Sequence, residues 1–208
     1  CDHEIIEENA LSEEESEYLT KYLLDRNIPA NFESSTKIYA NQFTKDTMLK
    51  KVEEQCKGKS EKEKAKHGLT ILTNQITVVN SLEGLSYNKV SVIDNGKTPY
   101  KTIQDDLSDR YVVIPATFAP LGKESGEITS FKINKATGMD SVIRYFNADI
   151  KDTIAIRDGF NDLPMFEKAH LSVAMGNAPQ EIKDKADRIT TSLDEDGVYN
   201  AFKELKLI

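Results

Sequence analysis

With 38% hydrophobic and 30% charged residues, a 208-residue chain has apolar material for one large or two small cores and is too polar for a membrane protein. No apolar run approaches the roughly 18 residues that span a bilayer, and residues 1–10 hold neither a basic stretch nor an apolar leader-like segment. A formal charge of -8 argues against nucleic acid as a partner, because affinity for a phosphate backbone needs clustered Lys and Arg; anionic small molecules stay open, since the nearest groups govern a compact pocket.

Cys1 and Cys56 stand far apart, without metal-type spacing or a disulfide framework, and point to a reducing, cytoplasmic setting. His3, His67 and His170 share no helical face, which argues against zinc.

In chain order, residues 12–27 predict a helix: Ser12 and Glu15 match a capping box, and Tyr18, Leu19, Tyr22 and Leu23 recur at helical spacing. Residues 31–41 predict a strand or strand pair, and 44–56 a helix with Met48, Leu49 and Val52 on one side. The charge run GKSEKEKAK from Gly58 reads as a solvated helix face or loop. LTILTNQITVV, residues 69–79, is rich in β-branched residues and predicts a strand, as does 87–94, whose Asp94-Asn95-Gly96 end suggests a hairpin turn. A helix over 98–107 and strands over 111–117 and 127–131 complete this mixed region.

Beyond Lys135 the rhythm changes. Helix to about Asn147, strand 153–156, helix 163–169, strand 171–174, helix 179–186, strand 188–191 and helix 197–205 alternate as in a parallel sheet with crossover helices. Two domains follow, residues 1–130 and 131–208, with the boundary near Asn134.

The segment TIAIRDGFNDLPM runs from an apolar strand straight into Asp158-Gly159-Phe160-Asn161-Asp162 and then a helix. Carboxylates at the carboxyl end of a parallel strand sit where ligands bind in open α/β sheets. Two of them, Asp158 and Asp162, suit a hard cation such as Mg2+. A plain Asp-Gly turn with Asn161 or Asp162 capping the next helix fits the same spacing. Lys135, just before a helix, could neutralise a phosphate oxygen beside backbone donors, and could equally be solvated. In VAMGNAP, Gly176 and Asn177 could shape a crevice floor or simply form a tight connection.

Lys135-Ala136-Thr137-Gly138, Asp158-Gly159-Phe160-Asn161-Asp162, Met175-Gly176-Asn177-Ala178-Pro179 and Asp194-Glu195-Asp196-Gly197-Val198 together resemble, in order and spacing, the end of Cof-type phosphatases in the haloacid dehalogenase (HAD) superfamily. Residues 1–130 are similar to that family's α/β cap. The resemblance implies an α/β fold with a HAD-like, Rossmann-like parallel-sheet core and a substrate-selecting cap. It also implies a Mg2+-dependent phosphoric monoester hydrolase of small phosphate esters such as sugar phosphates, working through an aspartyl-phosphate. By the same resemblance Asp158 and Asp162 are metal ligands, Asn161 contacts the phosphate, and Lys135 binds nucleophile and phosphate.

The family's Asp-x-Asp-Gly segment after a first strand has no counterpart here, and Arg157 replaces a customary Gly. The expectation is therefore an incomplete core without its nucleophile and no turnover by this chain alone, as a monomer or homodimer, with a non-catalytic phosphometabolite-binding module as the alternative.

Overall fold

The computed structural model describes residues 5–159 and 163–208. It divides into two compact units: residues 8–133, and residues 134–208 together with the stretch ending at Glu7.

The first unit opens with α1, Glu13–Asp25, where the capping box is formed: Ser12 N donates to Glu15 Oε2 at 2.8 Å and Glu15 N to Ser12 Oγ at 3.3 Å. Strands β1 (Ala30–Glu33) and β2 (Ile38–Ala40) form an antiparallel pair. Helices α2 (Gln42–Gln55), α3 (Glu61–Lys66) and α4 (Gly68–Gln75) follow, and α3, the charge run, buries nothing. Strands β3 (Ile76–Val78) and β4 (Lys89–Val92), helix α5 (Tyr100–Leu107), and strands β5 (Tyr111–Pro115) and β6 (Gly126–Ser130) close the unit.

Its six strands run in the order β3-β2-β1-β4-β6-β5, antiparallel except for β2 beside β3. One sheet face carries Phe32 and Val90 against Leu19 and Leu23 of α1 and Ile103 and Leu107 of α5. Each such side chain stabilises by about 1.5–3 kcal/mol. The other face carries Ala40 and Ile76 against Met48 of α2 and Leu69 of α4.

Two sequence expectations fail in this unit. Most of 69–79 is helix, with strand only at Ile76–Val78. Leu69, Leu72, Thr73 and Ile76 lie at helical intervals, and Leu69 and Thr73 are buried, so packing of one face overrides β-branched propensity. Asp94-Asn95-Gly96 makes no hairpin either. β4 pairs with β1 and β6, and the segment leads from β4 to α5. Asp94 Oδ1 accepts from Gly96 N at 2.8 Å, and Asn95 Oδ1 accepts from Lys97 N and Thr98 N.

The second unit consists of α6 (Lys135–Phe146), β7 (Ile154–Arg157), α7 (Leu163–Lys168), β8 (Leu171–Ala174), α8 (Gln180–Lys183), β9 (Arg188–Ile189) and α9 (Gly197–Glu204). Its sheet, β7-β8-β9, is parallel, as the alternating pattern predicts. The core is small: Ala155, Phe166, Ala174, Ala178 and Ile182 are buried, with Met139 and Leu163 packed against them.

Candidate functional site

Strand β7 delivers Asp158 to the carboxyl edge of the parallel sheet, where it stands exposed. Because β8 runs parallel to β7, the segment after β8 emerges at the same edge. There Asn177 Nδ2 donates to Asp158 Oδ2 at 3.2 Å, while Asn177 Oδ1 accepts from Leu193 N at 3.0 Å. A backbone N–H only donates, so it fixes the amide with its NH2 towards the carboxylate. Asn177 thus connects the segments that follow all three strands.

Glycine makes this possible through close approach. Met175 N donates to Arg157 O and Gly176 N to Thr191 O, holding the chain between its neighbours. A Cβ on Gly176 would lie 2.6 Å from Ser192 N and 2.7 Å from Thr191 C, so any larger residue would push the β8 and β9 tips apart. Gly197 has the same restriction, since its Cβ would collide with Thr191 O. The left-handed turn in this motif belongs instead to Asp196, at φ 58°. Ser192 donates to Glu195 through Oγ (2.7 Å) and N (3.2 Å), and these bonds hold the Glu195 carboxyl below the ordinary range.

Arg157 is only 3% exposed, and its guanidinium lies 4.7 Å over the Phe166 ring, packed into the core of its unit. Lys135 is the first residue of α6 and is exposed. The cap before it is well made: Asn134 Oδ1 accepts from Ala136 N and Thr137 N at 2.9 and 3.0 Å. Helix α6 is joined to α7 by an ion pair between Lys168 and Asp140 at 2.7 Å.

Of the residues singled out in the sequence, Asp158 is at the sheet edge and Lys135 at a helix start, while Asn161 and Asp162 lie outside the described residues. The partner that sequence reasoning did not assign to Asp158 is Asn177. Its signal was positional, the second residue beyond Met175 after a parallel strand. Among the described residues no group of three or more His, Cys, Asp or Glu side chains is placed to hold a metal ion, and of the two carboxylates suited to a cation only Asp158 has a described position. An exposed carboxylate held from one side by an amide fits a hard cation in donor chemistry.

The haloacid dehalogenase-like hydrolase pattern matches residues 2–202, and the chain belongs to that family. The match lends no support to the expectation of a missing nucleophile segment. A putative phosphatase of Bacillus subtilis, YkrA, is 49% identical over 75 residues, covering 36% of this chain and 29% of YkrA. YitU of the same organism, a 5-amino-6-(5-phospho-D-ribitylamino)uracil phosphatase, is 34% identical over 134 residues, covering 64% of this chain and 50% of that protein. The match therefore spans at most half of either relative's length. The solved structure of a HAD subclass IIB sugar phosphatase superposes with a TM-score of 0.68 at 20% identity, covering 99% of this chain and 71% of that one, and shares the fold.

Proposed function

We propose that the protein is a Mg2+-dependent phosphatase of small phosphate esters, sugar phosphates among them, in which the 134–208 unit supplies one side of the catalytic crevice. The observation that carries this reading is the chain of hydrogen bonds from Leu193 N through Asn177 to Asp158. It spends a side chain on positioning an exposed carboxylate where α/β sheets bind ligands, as a support for a ligating group does. Family membership supplies the reaction class, and phosphatase names among the relatives agree with it.

In this reading Asp158 and Asp162 hold the ion, Asn161 contacts the phosphate, and Lys135 balances phosphate charge at the capped start of α6. A Mg2+ ion held by these carboxylates would supply positive charge to offset that of the transferring phosphoryl group. An aspartate nucleophile, which none of these residues supplies, would attack phosphorus and expel the alcohol of the ester, and water would then attack the aspartyl-phosphate to release inorganic phosphate and restore the carboxylate. The 8–133 unit acts as the cap that selects the ester. A cytoplasmic, reducing location accords with the two cysteines, of which Cys56 is buried and free.

The test is phosphate release from a panel of sugar phosphates by the complete protein with and without Mg2+, beside Asp158→Asn. Removal of Mg2+ is expected to abolish turnover, and the substitution to lower kcat by about 10^2- to 10^3-fold. Full activity in chelator would refute metal dependence, and ligand binding without phosphate release would leave a phosphometabolite-binding module.

A further inference from the structure

Asp94-Asn95-Gly96, in the connection from β4 to α5, plays no part in the proposed catalysis, yet it holds the chain's one Asn-Gly pair. In such a pair the backbone nitrogen of the glycine can close a five-membered ring on the side-chain carbonyl carbon of the asparagine. Closure is assisted by an unobstructed nitrogen, a base for its proton, and donors for the oxygen that turns negative.

The segment supplies all three. Gly96 is exposed at φ 68°, and a Cβ there would meet nothing within 4 Å, so the side of the chain from which the ring closes is open. Gly96 N donates to Asp94 Oδ1 at 2.8 Å, within the reach of a general base. That carboxylate is fixed from its other oxygen, since Glu124 N donates to Asp94 Oδ2 at 3.4 Å, and Gly122 approaches so closely that a Cβ on it would collide with the Asp94 side chain. Asn95 Oδ1 accepts from Lys97 N at 2.9 Å and from Thr98 N at 3.0 Å, two backbone donors on the atom that gains charge in a tetrahedral intermediate.

We propose that Asn95 is a self-modifying site, in which the native loop speeds conversion of the asparagine to aspartate and isoaspartate. Asp94 takes the Gly96 N–H proton as the nitrogen bonds to Asn95 Cγ, and Lys97 N and Thr98 N hold the oxyanion. The Cγ–Nδ2 bond then breaks, and ammonia leaves with the proton from Asp94. Water opens the resulting succinimide at Cγ to give aspartate or at the backbone carbonyl to give isoaspartate, and solvent is the only co-reactant. Either product adds a negative charge beside Asp94, and the isoaspartyl form adds a methylene to the main chain between β4 and α5. The site belongs wholly to the 8–133 unit and does not depend on the phosphatase reading.

The test is incubation of the full chain at neutral pH in water enriched in heavy oxygen, with peptide mapping by mass spectrometry. The same chain unfolded in urea serves as reference, beside Asp94→Ser and Asn95→Gln. Both products at position 95, carrying solvent oxygen, are expected to form about tenfold or more faster in the native chain than in the unfolded one. Asp94→Ser, whose hydroxyl can still accept from Gly96 N, should slow the native rate about tenfold while circular dichroism stays unchanged. Asn95→Gln, which would need a six-membered ring, should give no product. A native rate no faster than the unfolded one, an aspartyl product without its isoaspartyl counterpart, or an unchanged rate in folded Asp94→Ser would each overturn the proposal. Should Asp94→Ser unfold, the comparison of native and unfolded chains decides alone.

Discussion

Tyr87 shows how one hydroxyl can hold a helix to the loop that leads into β4. Fully buried, it donates to Ser16 O at 2.7 Å, lies 2.9 Å from Thr20 Oγ1, and meets Phe32 edge-on at 5.1 Å. Tyr87→Phe keeps the ring but leaves two buried groups of α1 short of a partner, so a loss of about 1–2 kcal/mol is expected in urea unfolding. Burial pushes the Tyr87 hydroxyl up to about 12, against the opposing effect of its hydrogen bonds. A raised pKa in the folded state means that the tyrosine's contribution is intact below the ordinary value near 10 and is lost as pH rises through about 12. Alkaline unfolding should therefore be less steep in Tyr87→Phe, and an unchanged pH profile would contradict this. Asp187 works in the opposite sense. Hydrogen bonds from Ser172 Oγ and N, at 2.7 and 2.8 Å, hold its carboxyl low, so its contribution is present above the ordinary aspartate value and lost as pH falls through the lowered one. Asp187→Asn should lower stability at neutral pH and flatten the acid limb of the unfolding profile.

At the scale of elements, legibility followed periodicity and capping. Ser12, with Glu15 three residues on, announced α1 before any packing was known, and the strand-helix alternation beyond Lys135 announced a parallel sheet. Helix α4 was misread because Thr70, Ile71 and Thr73 favour strands locally, while Leu69, Thr73 and Ile76 form one buried face that only the fold reveals. Leu69→Ala should accordingly cost about 2–5 kcal/mol, as for a residue sealed between helices, and much less if it lay on an exposed strand. The candidate site was half legible. Asp158 stood out as a carboxylate at the end of a strand, whereas its link to Asn177 depends on β8 lying beside β7, which no local pattern encodes. Gly176→Ala tests that arrangement: the new methyl meets backbone at Ser192, and loss of both stability and Asp158 positioning is expected, measured by thermal unfolding and by the Asn177 side-chain amide resonance.

Over the whole molecule the two units differ in how well each covers its apolar surface. The 8–133 unit has a core on both faces of its sheet. In the other unit, α6 buries nothing among its residues and exposes Val142, Tyr145 and Phe146, while α9 exposes Tyr199. Residues 8–133 expressed alone should therefore unfold in urea with a single cooperative transition by circular dichroism and fluorescence, and a broad, probe-dependent transition would contradict an autonomous core. The claim on which the functional reading turns concerns the other unit, that Asp158 holds a divalent ion facing a phosphoryl group. Its most direct measurement is a Mg2+ titration of the isotope-labelled protein in the presence of inorganic phosphate, following Asp158 and the Asn177 side-chain amide. Saturable shifts at both that vanish in Asp158→Asn are the expected result. Shifts that persist in that variant, or that map away from the carboxyl edge of β7 and β8, would contradict it.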